Sequence, residues 1–389
     1  MKRILHIALS CFYVEGLSYQ ENLLPKYHSL LGYDTWVLTS VFPNSNLGDP
    51  AFLNVDNYIN QDKVHVVKLK RKKTMMFGKD LSFNSYYRVY ESLCEISPDI
   101  IFIHGLNSTA NLDIAKYLKR NPNVLAFADQ HGDYYNAPYK TLKQKMLIKF
   151  IWLPKIKKIK KYIVTFFGTT PWRCEYLEKV YKIPRKKIQL LIMGVDSLAF
   201  DELLSGTSKQ QLRSQIGIDD DDFVFCTGGK LNRQKNILNL IEAFKNIEFK
   251  NCKLLIFGNL SDDIKQEFLT SISSDERIIY KGWASQIDIL SFFAASDYAI
   301  FPGTHSVLWE QACGCSLPCS FHDWKGMRHV DCGGNCLFID GDSIDSIEEN
   351  LLSVVSDKNL YKKMLAKAKE CAYLFSYMSI SKKAIGLND

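Results

Sequence analysis

The sequence lacks features that define several large classes of protein. No run of about eighteen or more apolar residues is present, so no membrane-spanning helix is expected. No Gly-x-Gly-x-x-Gly motif occurs, which argues against a nicotinamide or flavin enzyme. The 11 cysteines include no Cys-x-x-Cys pair, so we expect buried reduced thiols rather than a zinc site. These absences leave a globular protein that we expect to be cytoplasmic.

The size and charge of the chain indicate two domains and an anionic partner. A chain of 389 residues is too long for one typical core. The net charge of +7 favours an anionic ligand or surface without choosing between them. The apolar run Ile4–Val14 follows Lys2 and Arg3, as in a signal peptide, but His6 interrupts it and no cleavage site follows. We therefore interpret this run as the first buried strand.

One stretch in the second half of the chain has the pattern of an anion site. The apolar run 298–301 reads as a buried strand, and Pro302-Gly303-Thr304 ends it. Ser306 is placed to cap a helix that begins near Val307. The start of such a helix offers free N–H groups to a phosphate, and Glu310, about one turn inside, offers acceptors to ribose hydroxyls. An ordinary crossover with a solvated Glu310 is the alternative.

A second stretch pairs a glycine turn with two cations. The strand beginning at Phe223 runs into Gly228-Gly229, where the backbone can approach a ligand closely. Lys230 and Lys235 follow, five residues apart, just before a helix that starts at Ile237. Two cations beside such a turn favour an anionic ligand, although a solvated basic loop would have the same composition.

Around these two stretches the sequence resembles the retaining glycosyltransferases of family 4. That family has a motif with two Glu residues, and Glu310 stands at the position of the second. The residues that follow the second Glu in the motif are matched by Gln311-Ala312, Gly314 and Leu317-Pro318. Gly194-Val195-Asp196 matches a further family motif, with Met193 in place of its Asn. The first Glu of the family motif is missing, because Pro302 stands eight residues before Glu310. This version is similar to a branch found in bacterial capsule and surface-polysaccharide clusters.

The resemblance implies an α/β fold of the GT-B type, with two Rossmann-like domains whose parallel sheets face each other across a cleft. It places the N-terminal acceptor-binding domain at residues 1–195 and the C-terminal nucleotide-sugar-binding domain at 196–370. A last helix within 371–389 would return to the first domain. The implied reaction transfers a sugar from a UDP or GDP sugar to an acceptor hydroxyl with retention, without a cofactor or metal. A lipid-linked oligosaccharide is the expected acceptor.

The resemblance, together with strand ends where ligands collect in parallel sheets, also selects site residues. Trp283 is expected to stack on the base or to pack in the core, and His305 or Thr304 to fill the space of the missing Glu. The region around Gly16 is either an acceptor contact or a plain helix start. The predicted catalytic residues are His131, Lys235 and Glu310. The predicted donor-binding residues are Gly229, Lys230, Arg233, Lys235, Trp283, His305, Ser306, Val307 and Glu310. The predicted acceptor-binding residues are Gly16, Glu21, Asn22 and His104.

The segment Lys143–Lys161, which we call the basic segment, alternates lysines with large apolar side chains such as Phe150 and Trp152. Such a stretch suits the interface of an anionic membrane, and it equally suits a helix packed on its domain with a solvated lysine face. Nucleic acid is not expected, since no recognition module accompanies the charges. A peripheral position on the inner face of the plasma membrane would follow from the first alternative.

Two other functions fit the same sequence. A sugar-nucleotide epimerase shares the fold, and it would need additional acid and base carboxylates in the cleft. A non-catalytic nucleotide-sugar-binding module would bind the nucleotide without turnover. Glu310 and the paired cations favour the transferase, and the missing first Glu favours the binding module.

Overall fold

The computed structural model describes residues 1–11, 13–40, 57–72, 75–76, 79–80, 84–134 and 141–387. The chain divides into two compact units. The first comprises Met1–Ile192 and the segment that begins at Ile380, and the second comprises Met193–Ser379. The sequence placed these divisions at 195 and 371, and the structure places the return to the first unit later in the chain.

The first unit is built on a sheet whose strands are short apolar runs. Within the described residues this sheet has eight strands in the order β10-β9-β8-β7-β1-β2-β4-β3, and all pairs are parallel except β3 with β4. Two further strands form a separate hairpin. The strands are β1 Arg3–Ile7, β2 Asp34–Ser40, β3 Tyr58–Ile59, β4 His65–Leu69, β5 Met75–Met76, β6 Lys79–Asp80, β7 Ile100–His104, β8 Leu125–Gln130, β9 Thr165–Gly168 and β10 Ile188–Leu190.

Helices connect these parallel strands, as right-handed crossovers require. Their apolar faces bury Leu93, Ile114 and Ile156 in one core with the strand residues Leu5 and Ile101. The helices of the first unit are α1 Gln20–Leu30, α2 Val89–Ile96, α3 Asn111–Arg120, α4 Leu142–Leu147, α5 Leu153–Ile159 and α6 Pro171–Lys179. A π-helix, Ile148–Trp152, joins α4 to α5, and a 3-10 turn covers Arg185–Lys187.

The second unit repeats the plan with a smaller sheet. Within the described residues its six strands are all parallel, in the order β13-β12-β11-β14-β15-β16. Its strands are β11 Phe223–Gly228, β12 Cys252–Phe257, β13 Ile278–Tyr280, β14 Tyr298–Phe301, β15 Cys319–His322 and β16 Cys336–Ile339. Its helices are α7 Ser197–Gly206, α8 Lys209–Ile216, α9 Ile237–Asn246, α10 Lys265–Ile272, α11 Gln286–Ala295, α12 Leu308–Gly314, α13 Ile344–Ser356 and α14 Lys358–Cys371.

The last helix, α15 Tyr377–Ala384, follows a 3-10 turn at Ala372–Phe375 and spans the point at which the chain returns to the first unit. Each cysteine from Cys313 to Cys319 and Cys336 is buried, and Cys332 is partly exposed. No helix in the described part of the chain is both long enough and apolar enough to cross a bilayer.

Candidate functional site

In the second unit, two loops at the carboxyl ends of β11 and β14 lie against each other. The backbone N–H of Thr304 donates to the carbonyl of Gln234 at 2.9 Å, and the side chain of Asn236 donates to the carbonyl of Pro302 at 3.1 Å. A Cβ atom on Gly303 would lie 2.3 Å from Cα of Lys235, so only glycine permits this approach. The Gly303 turn therefore brings the loop before α12 onto the loop that carries Lys235.

Glu310 lies at the centre of a buried cluster behind this turn. Its Oε1 atom is 2.9 Å from Nε2 of His305 and 2.8 Å from Nε2 of His329. The side chains of Glu310 and His329 are fully buried. Burial raises the pKa of the Glu310 carboxyl, but the two histidines lower it more, so the net pKa lies well below its usual value. An ionised carboxylate only accepts, so both Nε2 atoms carry the hydrogen.

Buried polar atoms without a hydrogen-bond partner are concentrated along this same segment. Each such atom costs about 1–3 kcal/mol, and folded proteins retain few of them unless a ligand or water satisfies them. Among the described residues they include Ser306 Oγ, Trp309 Nε1, Glu310 Oε2, Gln311 Oε1 and His329 Nδ1. Such a concentration is typical of a segment that contacts a polar ligand or ordered water.

Lys235 is the cation that the structure brings to this cluster. Its ammonium group donates to the carbonyls of Thr304 and His305, the second at 3.3 Å. Burial lowers the pKa of Lys235 to about 8. A lysine whose charge is poorly solvated gains more from an anion than a surface lysine does. Lys235, His305 and Glu310 therefore form one site, which we call the Glu310 site.

The other predicted donor residues of the 229–233 region are arranged differently. Lys230 is exposed on the turn after β11, and Gly229 adopts a left-handed φ of +118°. Arg233 pairs with Glu267 at 3.3 Å and donates to the carbonyl of Asp263 at 3.2 Å. Its guanidinium thus contacts Glu267 and Asp263 and does not join Lys235 at the Glu310 site. Its proposed role in binding phosphate stays a prediction.

Two further predictions on the donor side concern Trp283 and Ser306. Trp283 follows the edge strand β13 and is 68% exposed, so the alternative that it packs in the core is wrong. The expected cap by Ser306 is also wrong, because α12 begins after Val307 without a side-chain cap and the Ser306 hydroxyl has no partner. The backbone carbonyl of Ser306 accepts from Trp309 N at 3.1 Å. A short helix of this kind holds its first turn through the backbone.

In the first unit, His131 lies just after β8, beside a buried carboxylate. Its Nε2 atom is 3.3 Å from Oδ2 of Asp129, and 30% of its side chain is exposed. Burial lowers the pKa of His131, but the charges of Asp129 and Glu21 raise it more, and the net pKa lies above its usual value. His131 is therefore the accessible end of a buried polar network, at the strand end where the sequence predicted a site residue.

The acceptor prediction for His104 is corrected by the structure. Its side chain is buried, and both ring nitrogens are in contact with neighbours, His6 at 3.0 Å and Asp129 at 3.0 Å. A ring with both nitrogens engaged inside the sheet has no atom left for an acceptor. The reason is depth: His104 is the last residue of β7, and its side chain points into the domain core instead of towards its edge.

The loop before α1 keeps part of its predicted role. Gly16 is exposed with φ of +78°, and α1 begins at Gln20, so Glu21 and Asn22 lie in its first turn. Glu21 is buried, and the side-chain amide of Asn22 donates to the carbonyl of Val14 at 2.8 Å. Contact of these residues with an acceptor remains a prediction, since their side chains chiefly order the loop.

The basic segment divides into two faces. Trp152 is buried, with Ile148 and Ile156, so the alternative of a helix packed on its domain holds for this side chain and the membrane-facing alternative does not. Leu142, Met146 and Phe150 are instead 75%, 50% and 60% exposed. These three residues are spaced four apart and define what we call the exposed apolar face.

Sequence reasoning missed His329 and Asp129, which contact Glu310 and His131. His329 belongs to a 3-10 turn nineteen residues beyond Glu310, and no helical or strand spacing links the two. Asp129 carries a weak signal, as an acidic residue inside an apolar strand, where a carboxylate needs a partner. The ligand atoms of His305, Glu310 and His329 all lie within 4.8 Å of one another, a set that could hold a metal ion. The expectation that no metal is required stays a prediction.

Comparisons with known proteins give a family match for part of the chain. Residues 208–371 match the family model described as Glycosyl transferases group 1. A relative in Escherichia coli, UDP-Gal:alpha-D-GlcNAc-diphosphoundecaprenol alpha-1,3-galactosyltransferase, is 29% identical over 47% of this chain and 49% of its own length. The N-acetylgalactosamine-N,N'-diacetylbacillosaminyl-diphospho-undecaprenol 4-alpha-N-acetylgalactosaminyltransferase of Campylobacter jejuni is 25% identical over 65% of each chain. The chain spans about half the length of the first two curated relatives it matches, 55% and 49%.

Similarity to solved structures extends over nearly the whole chain. The Anabaena protein Alr3699/HepE in complex with UDP has a TM-score of 0.68 at 15% identity, with 98% of each chain covered. At that identity the likeness concerns the fold, and it confirms the predicted GT-B architecture of two Rossmann-like units with parallel sheets. The chain therefore has the GT-B fold, and its residues 208–371 match the Glycosyl transferases group 1 model.

Proposed function

We propose that the protein is a glycosyltransferase that moves a sugar from a nucleotide diphosphate sugar to an acceptor hydroxyl with retention of configuration. UDP or GDP is the expected nucleotide, and a lipid-linked oligosaccharide of surface-polysaccharide synthesis is the expected acceptor. The two named relatives act on diphosphoundecaprenol-linked sugars, which supports that acceptor class. The family domain at residues 208–371 contains every residue of the Glu310 site.

The observation that carries the proposal is the Oε2 atom of Glu310, a buried acceptor to which no described residue donates. One of its oxygens accepts from two histidines, while Oε2 is buried without a partner in the described structure. A buried, ionised carboxylate with one open oxygen suits a pair of neighbouring hydroxyls, such as those of a ribose. The ribose would then fix the nucleotide with its diphosphate towards the Gly303 turn.

Charge neutralisation supplies the chemistry. When the bond from the sugar to the diphosphate breaks, negative charge develops on the phosphate oxygens. Lys235, held at the turn, and Lys230 on the neighbouring loop would stabilise that charge, which lowers the barrier without a nucleophile from the protein. In a retaining reaction the acceptor hydroxyl attacks from the side that the diphosphate leaves. His131, in the first unit, is proposed as a further catalytic residue of this reaction.

Nucleotide binding is the first test. A panel of UDP, GDP, ADP, CMP and NAD is measured by thermal shift, because a ligand at a hundred times its dissociation constant stabilises a fold by about 2.7 kcal/mol. We expect a shift with UDP or GDP. A shift with NAD alone, or with none of the five, would contradict the assignment of Lys235 and Glu310.

Turnover separates the transferase from its alternatives. Incubation of the nucleotide sugar with a polyprenyl-diphosphate-linked acceptor should yield a glycosylated lipid, and NMR of the product reports its anomeric configuration. Conversion of the sugar nucleotide with no acceptor present would indicate an epimerase. Tight nucleotide binding with neither reaction would indicate a binding module.

We also propose that the basic segment docks on an anionic membrane, where a lipid-linked acceptor would be found. The exposed apolar face lies among the exposed lysines Lys143, Lys149, Lys157 and Lys158. Apolar side chains surrounded by lysines suit the headgroup region of an anionic bilayer. Lys155 contributes less, because it donates to the carbonyl of Ile151 at 2.9 Å and lies over the ring of Trp152.

Vesicle co-sedimentation tests this surface. Each lysine near an anionic surface contributes about 1 kcal/mol, so replacing Lys149, Lys157 and Lys158 by Glu should weaken binding to phosphatidylglycerol vesicles by at least roughly 100-fold. The matched control replaces Lys245, Lys250 and Lys253 of the second unit by Glu. Equal binding of both variants would show that the lysine face of this segment is only solvated.

A further inference from the structure

A continuous chain of buried histidines crosses the first unit. Nε2 of His28 lies 2.8 Å from the carbonyl oxygen of Ser381, and Nδ1 of His28 lies 2.9 Å from Nε2 of His6. Nδ1 of His6 lies 3.0 Å from Nε2 of His104, and Nδ1 of His104 lies 3.0 Å from Oδ2 of Asp129. The three rings are 0%, 0% and 1% exposed. We call His28, His6 and His104 the histidine chain.

Counting hydrogens shows that the chain cannot be neutral. It contains four contacts, and each of them needs one hydrogen between its two heavy atoms. Both ends are acceptors only, because the Ser381 carbonyl and an ionised Asp129 have no hydrogen to give. Three neutral imidazoles carry one N–H each, so they supply three hydrogens for four contacts. One additional proton is therefore required while Asp129 is ionised.

The four contacts alone would allow the additional proton on any of the three rings. His104 is the ring that directly contacts the carboxylate of Asp129, at 3.0 Å, so the positive charge is most stable there. His28 then donates to the carbonyl and accepts from His6, His6 accepts from His104, and His104 donates at both nitrogens as an imidazolium. The pKa values of the other members of this network agree with the assignment. Burial and neighbouring histidines lower the pKa of His6, and burial lowers the pKa of His28 to about 4, so both are neutral. Burial raises the pKa of Asp129, but His131 and His104 lower it more, so it is ionised.

We propose that the histidine chain is a positioning device for His131: it holds one proton on His104, which keeps Asp129 ionised and directed at Nε2 of His131. The role of His131 in sugar transfer rests on the proposed function, but the protonation of the chain does not. His6, His28 and His104 act through Asp129 and never contact a substrate.

Other groups at this end of the chain fix Asp129 further. Gln20 Nε2 donates to its Oδ2 at 3.1 Å, and the backbone N–H of Gly105 donates to its Oδ1 at 3.1 Å. Among the described residues, Glu21 of α1 and Arg173 of α6 also act on His131, and Cys11, after β1, lies close to Glu21 and Asp129. The pKa of the Cys11 thiol is raised by burial and by those two carboxylates, so Cys11 stays neutral.

NMR of the wild-type protein with ¹⁵N-labelled histidine is the primary test. The chain has 8 histidines, so each ring can be assigned by single substitution. At pH 7.5 we expect both ring nitrogens of His104 to be protonated, while His6 and His28 are neutral and carry their hydrogen on Nε2. A neutral His104 at that pH overturns the proposal, and this measurement needs neither a variant chain nor any activity.

Two variants should move the titration of His131 in opposite directions. In His28→Leu, His6 can donate to His104, and two neutral rings then satisfy the two remaining contacts. His104 loses its charge, and the uncompensated Asp129 should raise the titration midpoint of His131 by about one pH unit. In Asp129→Asn, the Gly105 N–H keeps the amide oxygen on its own side, so the amide NH₂ donates to His104. Both charges disappear, and the midpoint of His131 should fall by about one unit.

A histidine outside the chain provides the control. His65 lies on β4 of the same sheet, stacked on Trp36, and His65→Gln should leave the His131 midpoint within a few tenths of a unit. Shifts of the same sign in His28→Leu and Asp129→Asn would overturn the proposal, because a merely structural role predicts no opposition. If either variant does not fold, the wild-type spectrum decides.

The pH profile of kcat/KM connects the chain to turnover. If the proposed transferase activity is observed, the limb of this pH profile that reflects titration of His131 should move to higher pH in His28→Leu. It should move to lower pH in Asp129→Asn, in each case by the amount seen in the spectra. An absent transferase activity would contradict the proposed function and leave the spectra to decide on the chain. Spectra that shift as expected beside an unmoved profile would remove His131, and with it the positioning role, from the reaction.

Discussion

Asp129 in the first unit and Glu310 in the second are two carboxylates buried beside histidines, and they differ in how many acceptor atoms remain open. Both are completely buried, and in both the pKa is raised by burial and lowered more by histidines. Asp129 uses both oxygens, with His104 and Gln20 on one and the Gly105 N–H on the other. Glu310 uses only Oε1, which accepts from His305 and His329.

This difference separates a carboxylate that organises the protein from one that receives a ligand. A saturated carboxylate has little to offer a substrate, and its removal strands several donors at once. A buried carboxylate with one oxygen that lacks a donor destabilises the ligand-free protein. A ligand that donates to this oxygen removes that destabilisation. The contrast predicts that substitution of Asp129 is felt mainly in stability and that substitution of Glu310 is felt mainly in function.

Asp129→Ala should produce the largest change in stability. It removes the acceptor of His104, Gln20 and the Gly105 N–H together, and breaking a buried charge pair from one side costs about 3–5 kcal/mol. Urea unfolding at pH 7.5 measures the loss. Asp99→Ala removes an exposed carboxylate that accepts from the Arg3 N–H, and it should cost less than about 1 kcal/mol. Equal losses in the two variants would remove the distinction drawn for Asp129.

Glu310→Gln should reduce turnover most, by roughly 100-fold, because two charge-assisted hydrogen bonds of about 1.5 kcal/mol each are lost. The amide oxygen can still accept from His305 and His329, so the NH₂ group replaces the open oxygen and the fold is largely kept. Thermal unfolding and donor KM are measured on the same sample. Glu242→Gln, exposed on α9 of the same unit, is the control. Full turnover in Glu310→Gln would mean that the open oxygen binds no donor.

The sequence predicted the fold well because its signals are local. Short apolar runs ended by Pro302-Gly303 or Gly228-Gly229 define strands and turns without reference to distant residues. The same local signals located Lys235 and Glu310, which the structure brings into one site. The start of the helix after Ser306 was predicted to within one residue, but its cap was not, since an N-cap residue type does not show whether its hydroxyl points at the helix.

The contents of the two clusters could not be predicted, because they depend on tertiary contacts. His6, His28 and His104 come from β1, α1 and β7, and the ring contact of His6 with His104 spans 98 positions in the sequence. The placement of His104 at a strand end suggested a ligand contact, whereas its neighbours bury it. For Trp152 two alternatives stayed open, because alternating lysines and apolar residues do not show which apolar side chains enter the core.

The affinity of the Glu310 site for its donor should also depend on pH through Lys235. Burial lowers the pKa of Lys235 to about 8, and a bound diphosphate favours the charged form. Affinity is therefore fully present below pH 8 and should fall by up to about tenfold per pH unit above it, as the free lysine loses its proton. Lys235→Arg keeps the charge and should abolish that slope, and Lys250→Ala, at an exposed lysine, should retain it. Donor KM between pH 7 and 10 measures both, and a slope unchanged in Lys235→Arg would assign it to another group.

His329→Gln should produce the smallest effect and tests how the open oxygen of Glu310 is maintained. The amide of Gln can still donate to Oε1 of Glu310, so we expect only about a threefold rise in donor KM. His329→Leu leaves Oε1 with His305 as its donor and should raise KM by about tenfold. In the Glu310→Gln background neither change should matter as much, because the carboxylate that His329 directs is already gone. Equal effects in both backgrounds would mean that His329 contacts the donor itself. The unused oxygen of Glu310 would then be a consequence of local packing, and its contrast with the saturated Asp129 would not distinguish a ligand site from a structural one.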